Sequence, residues 1–340
     1  MWPFLSVLVP IRNEENFIAA TLTDLARQDY PASRFEVIVI DGMSTDGTLA
    51  RVRNIAAGFP KCALQVLENP KRLSSAARNL GIKAARGEYI LIVDGHVEIP
   101  SRTLLRDMAS VIRETGAVVL GRPQRLSATG LSLTQQVIAA ARASRIGHAQ
   151  DSMIYSSNEG WAAPGSIAVM YRRDLFERFG GFDESFDAAE DLEFNIRLEG
   201  AGLRCYTSPK FEIFYFPRAT VGGLFRQMRR YGTGRTRLWR KNATLPSIAA
   251  LAPALMVLAG LTLTLGAVHS VRYAGALAAC ACAYALLVGL VRRRDSVLSQ
   301  FNFMRVLLTM LAIHCGLGTG IIEGVLKRKS PWMTLGAGKV

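Results

Sequence analysis

Asp94-Gly95-His96 places a carboxylate and an imidazole on either side of one glycine in this chain of 340 residues. A carboxylate oxygen and a ring nitrogen are common ligands of divalent cations, and the glycine lets the backbone turn so that both can reach one ion. The alternative is that Asp94 only caps the end of a strand and that His96 is a surface residue. We expect Asp94 and His96 to form a metal site.

A second group of reactive side chains lies between Asp183 and Glu193, where six carboxylates occur without a cation. Such crowding raises the pKa of some of these groups and suits one of them to accept a proton. The spacing excludes a calcium loop, because the glycine and the terminal glutamate are in the wrong positions. The alternative is a solvated acidic face.

An apolar run at Tyr89–Val93 comes directly before Asp94 and is typical of a strand that is buried on both faces. Similar runs at 5–9, 35–40 and 63–67 alternate with helical patterns. This alternation implies right-handed crossovers and a parallel sheet with its loops along one edge. We therefore predict an α/β domain that binds its ligands at the carboxyl edge of the sheet.

Other polar residues follow these predicted strands. The carboxylate of Asp41 can accept a hydrogen bond from a base or a ribose hydroxyl, or it can cap a helix as Ser44 and Asp46 can. Arg72 and Arg78 flank the start of a predicted helix, where a diphosphate would find both cations and N–H donors. The alternative is two solvated arginines. A helix is also predicted over 190–199, because this segment is poor in β-branched residues and ends at a glycine pair.

Four of these segments have the order and spacing of motifs in family 2 glycosyltransferases with the GT-A fold: Val9–Glu14, Asp41–Thr48, Ala77–Gly81 and Asp94–His96. The chain resembles this family over about residues 4–240. Its Asp-Gly-His form is most similar to bacterial exopolysaccharide glycosyltransferases of the succinoglycan-biosynthesis type. The resemblance implies a Rossmann-like, mostly parallel GT-A sheet, a UDP-sugar donor and a divalent cation, Mn²⁺ or Mg²⁺.

The resemblance also implies roles for single residues. The nucleotide sugar would be held by Pro10, Arg12, Glu14, Asp41, Ser44, Arg72, Arg78 and Asp94. Asp94 and His96 would stand where the family has its metal-binding Asp-x-Asp, and the histidine leaves open whether it ligates the metal or contacts the diphosphate. In the Glu190-Asp191 pair, Asp191 would be the catalytic base. We also expect Trp161 to line the sugar or acceptor pocket, the alternative being a core or rim tryptophan.

A basic segment at 217–242 carries eight Lys and Arg residues and no acid, which is a large part of the net charge of +14. Aromatic and apolar residues are interleaved with these cations, which is typical of a helix lying in a membrane interface. Nucleic acid is the rival partner, but the adjoining apolar run makes lipid the nearer anion, so we expect no nucleic-acid binding. Within this segment Gln227, Arg230 and Tyr231 resemble the Gln-x-x-Arg-Trp motif, which implies an acceptor site.

Three apolar runs follow, at 245–268, 271–291 and 306–326, each long enough to cross a membrane. Arg292–Arg294 marks the cytoplasmic side. We expect all three runs to span the membrane. A third crossing would put the basic residues from Lys327 onward outside, against the positive-inside preference, so the alternative is a re-entrant or interfacial third run. The predicted organisation is a catalytic domain over 1–216, an interfacial segment over 217–242, membrane helices over 243–330 and a tail over 331–340.

Together these features predict an inverting glycosyltransferase in the bacterial inner membrane, with its catalytic domain in the cytoplasm. It would transfer a hexose, glucose from UDP-glucose, to a polyprenyl-diphosphate-linked saccharide in exopolysaccharide or cell-surface glycan synthesis. One alternative is a synthase of polyprenyl monophosphate sugars. An alternative of another class is a membrane-anchored basic scaffold or nucleic-acid-binding protein.

Overall fold

A computed structural model describes residues 1–59, 64–126, 129–147 and 152–327. The chain forms two compact units, the first made of residues 1–129 and 151–216 and the second of residues 130–150 and 217–340. The first unit ends where the sequence analysis ends the catalytic domain. The segment around 133–143, which the sequence analysis places in that domain, belongs instead to the second unit.

The first unit is built from eleven strands and seven helices within the described residues. In chain order they are β1 (Leu5–Ile11), α1 (Ile18–Ala26), β2 (Phe35–Asp41), α2 (Thr48–Ala56), β3 (Leu64–Glu68), α3 (Ser74–Ala84), β4 (Tyr89–Ile92), β5 (Val97–Glu98), α4 (Leu104–Thr115), β6 (Val119–Gly121), β7 (Gln124–Arg125), then, after one helix of the second unit (α5, Leu133–Ala143), β8 (Gly160–Ala162), α6 (Pro164–Ile167), β9 (Ala168–Arg172), α7 (Asp174–Phe179), α8 (Glu190–Gly200), β10 (Cys205–Thr207) and β11 (Ile213–Tyr215).

Eight of these strands form one sheet in the order β3-β2-β1-β4-β9-β6-β10-β8. Strands β1 to β4 are parallel to their neighbours, and β9 runs antiparallel between β4 and β6. Strand β6 therefore points the same way as β4, and both carboxyl ends lie at the same edge of the sheet. The predicted α/β domain with a mostly parallel sheet is confirmed.

Burial explains why the central strands form. Every residue of β2 and β4 is buried, and the apolar residues of β1 are inaccessible to solvent, because helices cover both faces of the sheet. The predicted helix at 190–199 is confirmed as α8, which ends before Gly202 in the left-handed conformation. A smaller sheet, β5-β11-β7, brings the end of the first unit beside the segment that follows β4.

The second unit contains α5 and four long helices. They are α9 (Val221–Lys241), α10 (Ile248–Ala267), α11 (Val271–Arg294) and α12 (Phe303–Leu326). The buried face of α5 packs with residues of α9 and α12 in one apolar cluster, which is why α5 leaves the catalytic unit despite its place in the sequence. The predicted tail at 331–340 lies outside the described residues.

Helices α10, α11 and α12 are each long and apolar enough to cross a membrane. They differ in exposure, since 44% of the apolar window of α12 is buried inside the protein, against 6% in α10 and in α11. Most of the surface of α10 and α11 is therefore free to face lipid. Much of α12 is covered by protein instead.

Candidate active site

Asp94 lies just past the carboxyl end of β4, in a loop that passes very close to β1. A Cβ atom on Gly95 would stand 2.6 Å from Cγ2 of Ile11. Only glycine therefore fits between β1 and this loop. The sequence assigned Gly95 to a backbone turn, but in the structure its role is to permit close approach, which holds the partly buried Asp94 at the open edge of the sheet.

His96 is held by two groups of the protein itself. Its Nδ1 atom lies 2.9 Å from Oε1 of Glu14, although the pair is not aligned as a hydrogen bond. Its Nε2 atom makes a short contact with the hydroxyl of Tyr215 in β11. Both ring nitrogens thus face protein groups. His96 could bind a metal ion only after giving up one of these contacts.

Arg78 and Glu190 form a buried ion pair at the same edge. Nη1 of Arg78 lies 3.1 Å from Oε1 of Glu190, and the two side chains are only 9% and 6% exposed. Burial alone would lower the pKa of Arg78, but the carboxylates of Glu190, Asp191 and Asp94 raise it above the ordinary value. Arg78 is therefore the shared counter-ion of three carboxylates that come from two distant parts of the chain.

Asp191 is the member of this group with the properties of a proton acceptor. Burial by surrounding protein raises its pKa, Glu190 raises it further, and Arg78 opposes both effects. Asp191 is nevertheless exposed to solvent, so it is accessible to a substrate. The residue before the pair, Ala189, has a φ of 66°, a left-handed conformation that is uncommon for a residue other than glycine and often marks functional loops.

The loops after β1 and β2 are tied to one another. The backbone N–H of Asn13 donates to Oγ of Ser44 at 2.9 Å, and Oδ1 of Asn13 accepts from the N–H of Thr45 at 2.9 Å. Asp41, which is 1% exposed, accepts from the N–H and the hydroxyl of Ser44. Asp41 thus caps this turn, as the alternative interpretation of the sequence expected, and the turn brings Ser44 to the same edge.

Backbone strain is concentrated at this edge. Four of the five non-glycine residues with positive φ in the described part of the chain lie in loops that surround it: Asn13, Met43, Arg72 and Ala189. Such conformations persist when tertiary structure enforces them, and they often do so in ligand-binding loops. Pro10 lies within β1, and Arg12 and Arg72 have exposed side chains in the loops after β1 and β3.

The model of the family described as "Glycosyl transferase family 2" matches residues 6–180. The chain belongs to this family. A second model, "Glycosyl transferase family group 2", matches residues 102–292. The resemblance inferred from the sequence is confirmed, and the chain is a glycosyltransferase.

Two curated relatives cover most of this glycosyltransferase. The succinoglycan biosynthesis protein ExoA of Rhizobium meliloti is 32% identical over 251 residues, which are 73% of each chain. The dolichyl N-acetyl-alpha-D-glucosaminyl phosphate 3-beta-D-2,3-diacetamido-2,3-dideoxy-beta-D-glucuronosyltransferase of Methanococcus voltae is 25% identical over 242 residues, 70% of this chain and 74% of its own.

A solved structure confirms the fold of this family 2 glycosyltransferase. The mannosyltransferase PcManGT from Pyrobaculum calidifontis, solved with GDP-Man and Mn²⁺, matches with a TM-score of 0.65. The match covers 97% of this chain and 89% of that one at 22% identity. It extends over both the GT-A domain and the helices that follow it.

Asp94 could hold the divalent cation expected of the family, provided that the substrate and water supply most of the other ligands. Among the described residues no group of three or more His, Cys, Asp and Glu side chains is arranged to hold an ion. Mg²⁺-like cations in nucleotide sites are usually bound by one or two carboxylates, substrate phosphates and water. Asp94 fits that pattern, whereas the nitrogens of His96 are engaged by Glu14 and Tyr215.

Trp161 is not brought to this cluster. It lies in β8, four strands beyond β4 in the sheet, a separation of about 19 Å at ordinary strand spacing. Its side chain, 44% exposed, packs edge-on against Tyr206. It lines a cavity of about 310 Å³ with Gly116 and Val118, which lie at the amino end of β6, opposite the edge that carries Asp94.

The predicted acceptor residues Gln227, Arg230 and Tyr231 belong to α9 of the second unit. Gln227 is buried and reaches the hydroxyl of Tyr231 at 3.5 Å, the limit of a hydrogen bond. The guanidinium of Arg142 in α5 lies 5.9 Å from the centre of the Tyr231 ring, a cation–π distance.

Sequence reasoning missed two residues that shape the site. Tyr215 holds the ring of His96 although it follows 119 residues later in the chain, and no local pattern links the two. Asn13 joins two substrate-side loops, and its signal was available, since asparagine tolerates the left-handed conformation that it adopts here.

Proposed function

We propose that this chain is an inverting, membrane-bound hexosyltransferase that uses a UDP-sugar, with glucose as the hexose, and a polyprenyl-diphosphate-linked saccharide as acceptor. The observation that carries this proposal is the single electrostatic cluster formed by Asp94, Arg78, Glu190 and Asp191. It joins the residue suited to the donor's diphosphate to the residue suited to take up a proton. An inverting transfer needs both functions at one anomeric carbon.

In this mechanism the acceptor hydroxyl attacks C1 of the sugar as the bond from C1 to the diphosphate oxygen breaks. Asp191 would take the hydroxyl proton, for which its raised pKa suits it. UDP leaves with the bonding electrons, and the configuration at C1 is inverted, so an α-linked donor gives a β-linked product. The covalent intermediate of a double displacement is not needed.

The remaining residues of the edge would bind and orient the donor. Asp94 would hold a divalent cation, which when bound neutralises the charge that develops on the leaving diphosphate. Arg78 would pair with Glu190 and fix its position. His96, held between Glu14 and Tyr215, would shape the loop that carries Asp94. PcManGT, solved with GDP-Man and Mn²⁺, supports a metal-bound nucleotide sugar in this fold.

The relatives favour a sugar hydroxyl over a phosphate as the acceptor group. The Methanococcus voltae relative acts on a sugar that is already linked to dolichyl phosphate. ExoA takes part in succinoglycan biosynthesis. A base such as Asp191 is needed to deprotonate a hydroxyl, whereas an acceptor phosphate is already ionised. The apolar helices and the basic helix α9 would keep the enzyme at the cytoplasmic face of the inner membrane, next to a lipid-linked acceptor.

The test is transfer from a panel of radiolabelled nucleotide sugars to extracted lipid acceptors by membranes that contain the full chain. Asp191→Asn should abolish transfer, and Asp174→Asn is the matched control. Asp174 is also a carboxylate next to an arginine, but it follows the end of β9 that lies away from the sheet edge carrying Asp94. Transfer that survives Asp191→Asn would favour a polyprenyl monophosphate sugar synthase. Absence of transfer from every donor would refute the proposal.

A further inference from the structure

Arg122 is a buried cation that has no counter-ion at hydrogen-bonding distance in the part of the chain that the structure describes. It follows β6 directly and is 2% exposed. Its Nε and Nη1 atoms are buried and have no hydrogen-bond partner among the described residues. Its Nη2 atom reaches Oε1 of Gln124 only at 3.5 Å. A guanidinium carries five N–H donors, and nearly all of those of Arg122 are unused.

This arrangement is costly for the protein alone. A buried charge is normally paired and hydrogen-bonded, because its hydration is lost on folding. Burial lowers the pKa of Arg122 to about 10, and the field of Asp94 is the main influence that opposes this. Asp94 is therefore near enough to act on Arg122, but it does not satisfy its N–H groups. A residue in this state is a candidate for binding an anion from outside the chain.

The position of Arg122 indicates where that anion would lie. Strands β4 and β6 are separated by β9, so Arg122 lies about 10 Å beyond the strand that carries Asp94. Both residues follow the carboxyl ends of parallel strands, at one edge of the sheet. The loops expected to hold the nucleotide follow β1, β2 and β3, on the other side of β4. Arg122 thus lies on the side of Asp94 that is away from the loops expected to hold the nucleotide.

We propose that the guanidinium of Arg122 binds a phosphate oxygen of a substrate at this edge, an inference that rests on the proposed function. Guanidinium groups bind phosphate through charge-assisted hydrogen bonds, and the Nε and Nη1 atoms of Arg122 have no partner among the described residues. The phosphate belongs either to the diphosphate of the donor or to that of the lipid-linked acceptor. Either source would supply the negative charge that the chain itself does not place against Arg122.

The test compares Arg122→Met and Arg122→Lys with the full wild-type chain in detergent. Arg125→Met is the control, because Arg125 lies three residues later, is half exposed and pairs with Glu212. Thermal unfolding without substrate is measured first. Arg122→Met should unfold at a higher temperature than wild type, because it removes an unsatisfied buried charge. A purely structural arginine would give the opposite result.

Binding and kinetics then distinguish the two sources of phosphate. If the donor supplies it, Arg122→Met should weaken the binding of UDP with Mn²⁺ by about tenfold or more and leave the acceptor KM unchanged. If the acceptor supplies it, UDP binding should stay unchanged and the KM for lipid-linked acceptor should rise by a similar factor. Arg122→Lys should keep part of the affinity, because it keeps the charge.

The inference is wrong if both UDP binding and acceptor KM match wild type, or if Arg122→Met lowers the unfolding temperature. Failure of this inference can be distinguished from failure of the proposed function. The proposed function is tested by transfer from wild-type protein to a lipid acceptor, which involves no Arg122 variant. Unfolding without substrate is also independent of which sugar is transferred.

A different observation concerns α12, which runs alongside the basic helix α9. The backbone oxygens of Phe225 and Arg229 lie 2.7 and 2.0 Å from where Cβ atoms on Gly316 and Gly320 would be, and Thr236 lies 2.7 Å from such an atom on Gly324. The two helices therefore run in the same direction and in close contact. Small residues spaced four apart make such an approach possible.

Polar contacts join the same two helices. Nε of Arg229 lies 3.0 Å from Oε1 of Glu323. At the end of α12, Arg240 donates to the carbonyl oxygens of Val325 and Lys327 at 2.7 and 3.0 Å. Glu323 lies in an apolar run, where an unpaired carboxylate would be costly. It is paired with Arg229 of α9 and therefore does not face lipid alone.

Helix α9 cannot lie in the hydrocarbon core. Seven of its residues are Arg or Lys and none is acidic: Arg226, Arg229, Arg230, Arg235, Arg237, Arg240 and Lys241. Charges in lipid are expensive and are tolerated only when they are few and paired. The half of α12 from Gly316 to Leu326 follows α9 along its length, so it is excluded from the core as well. The rest of α12 is too short to cross alone.

We infer that α12 lies with α9 in the headgroup layer, and that only α10 and α11 cross the membrane. The contacts of α12 with α10 and α11 support this inference. Phe303 approaches Gly289 of α11, and Gly318 approaches Pro253 of α10. Gly289 and Pro253 lie in the halves of their helices that are away from the turn connecting α10 to α11. With two crossings, Lys327 returns to the side of Arg292–Arg294. The positive-inside preference is then obeyed.

The test uses the full chain with a protease-cleavable tag at either terminus, in sealed membrane vesicles of one orientation. Both tags should be cleaved in the same vesicle preparation and protected in the inverted one. A tag inserted at the turn between α10 and α11, after His269, should show the opposite pattern and serves as the control for sealing. Protection of one terminal tag while the other is cleaved would establish three crossings and overturn the inference.

Discussion

Replacing Arg78 by methionine should destabilise the catalytic unit strongly, because it leaves Glu190 charged and buried without its partner. The two side chains are 9% and 6% exposed and lie 3.1 Å apart. Breaking a buried pair by removing one partner costs about 3–5 kcal/mol. The guanidinium also lies 5.3 Å from the centre of the Phe182 ring, so a cation–π interaction is lost with it.

The expected shift in unfolding temperature follows from the size of the unit. For a domain of about 150–250 residues, 1 kcal/mol corresponds to about 2–4 °C, so Arg78→Met should lower the midpoint by about 6–20 °C. The measurement is thermal unfolding of the purified full chain in detergent, followed by tryptophan fluorescence. The double variant Arg78→Met/Glu190→Gln should recover about half of the loss or more, because it no longer buries an unpaired charge.

Arg106 provides the control. It forms an ion pair with Asp29 at 2.7 Å, and both side chains are about half exposed, at 46% and 53%. Because Arg106→Met leaves no buried charge, it should cost no more than about 1 kcal/mol. Equal losses for the two single variants, or a double variant no more stable than Arg78→Met, would refute the view that Arg78 neutralises a buried carboxylate cluster.

Three further predictions concern single side chains. Asp191→Asn should lower kcat by about 10²–10⁴-fold. It should also raise the unfolding temperature at neutral pH but not below pH 3.8. The raised pKa means that Asp191 favours the folded state only while it is protonated, so this stabilisation is lost as the pH rises through the pKa of the folded state. Gly95→Ala should weaken UDP binding and lower the free energy of unfolding by about 1–3 kcal/mol, since its Cβ would lie 2.6 Å from β1. Gly58→Ala is the control and should change neither, because the nearest neighbour of its Cβ would be at 3.8 Å. Gly320→Leu should lower the yield of folded protein, whereas Gly260→Leu, in open space on α10, should leave it unchanged; equal yields would contradict the helix contact.

The sequence predicted the elements of the catalytic unit well because their signals are local. Buried parallel strands are continuous apolar runs, and here β1, β2 and β4 each end at a polar residue or are followed by one within two residues. Leu192, Phe194, Ile196 and Leu198 alternate with polar residues, which is a strand pattern. The glycines that end this segment nevertheless predicted the helix over 190–199 correctly. Local signals also indicated Asp94, whereas the role of Asp191 was inferred from the resemblance to family 2 glycosyltransferases. No local pattern contains the effect of Asp94 on the pKa of Asp191.

Partners that are distant in sequence could not be predicted in this way. The acidic run from Asp183 to Glu193 contains no cation, yet Glu184 pairs with Lys71 and Glu190 with Arg78, both about a hundred residues earlier. Helix α5 lies within the catalytic part of the sequence but packs in the other unit, since only its apolar face decides its neighbours. The burial of Arg122 was equally invisible, because an arginine next to a short strand has the same pattern whether it is exposed or buried.

The charges at the sheet edge suggest why the substrate completes this site. Asp94, Glu190 and Asp191 share Arg78 as their counter-ion, so a diphosphate arriving alone would add repulsion to a group of carboxylates in which burial, Glu190 and Asp94 already raise the pKa of Asp191. A divalent cation at Asp94 would remove that repulsion. Arg122, on the far side of Asp94, carries the opposite charge and lacks an anion. A diphosphate together with a divalent cation would therefore match the charges of both halves of the edge, and we expect UDP to bind weakly whenever the cation is withheld.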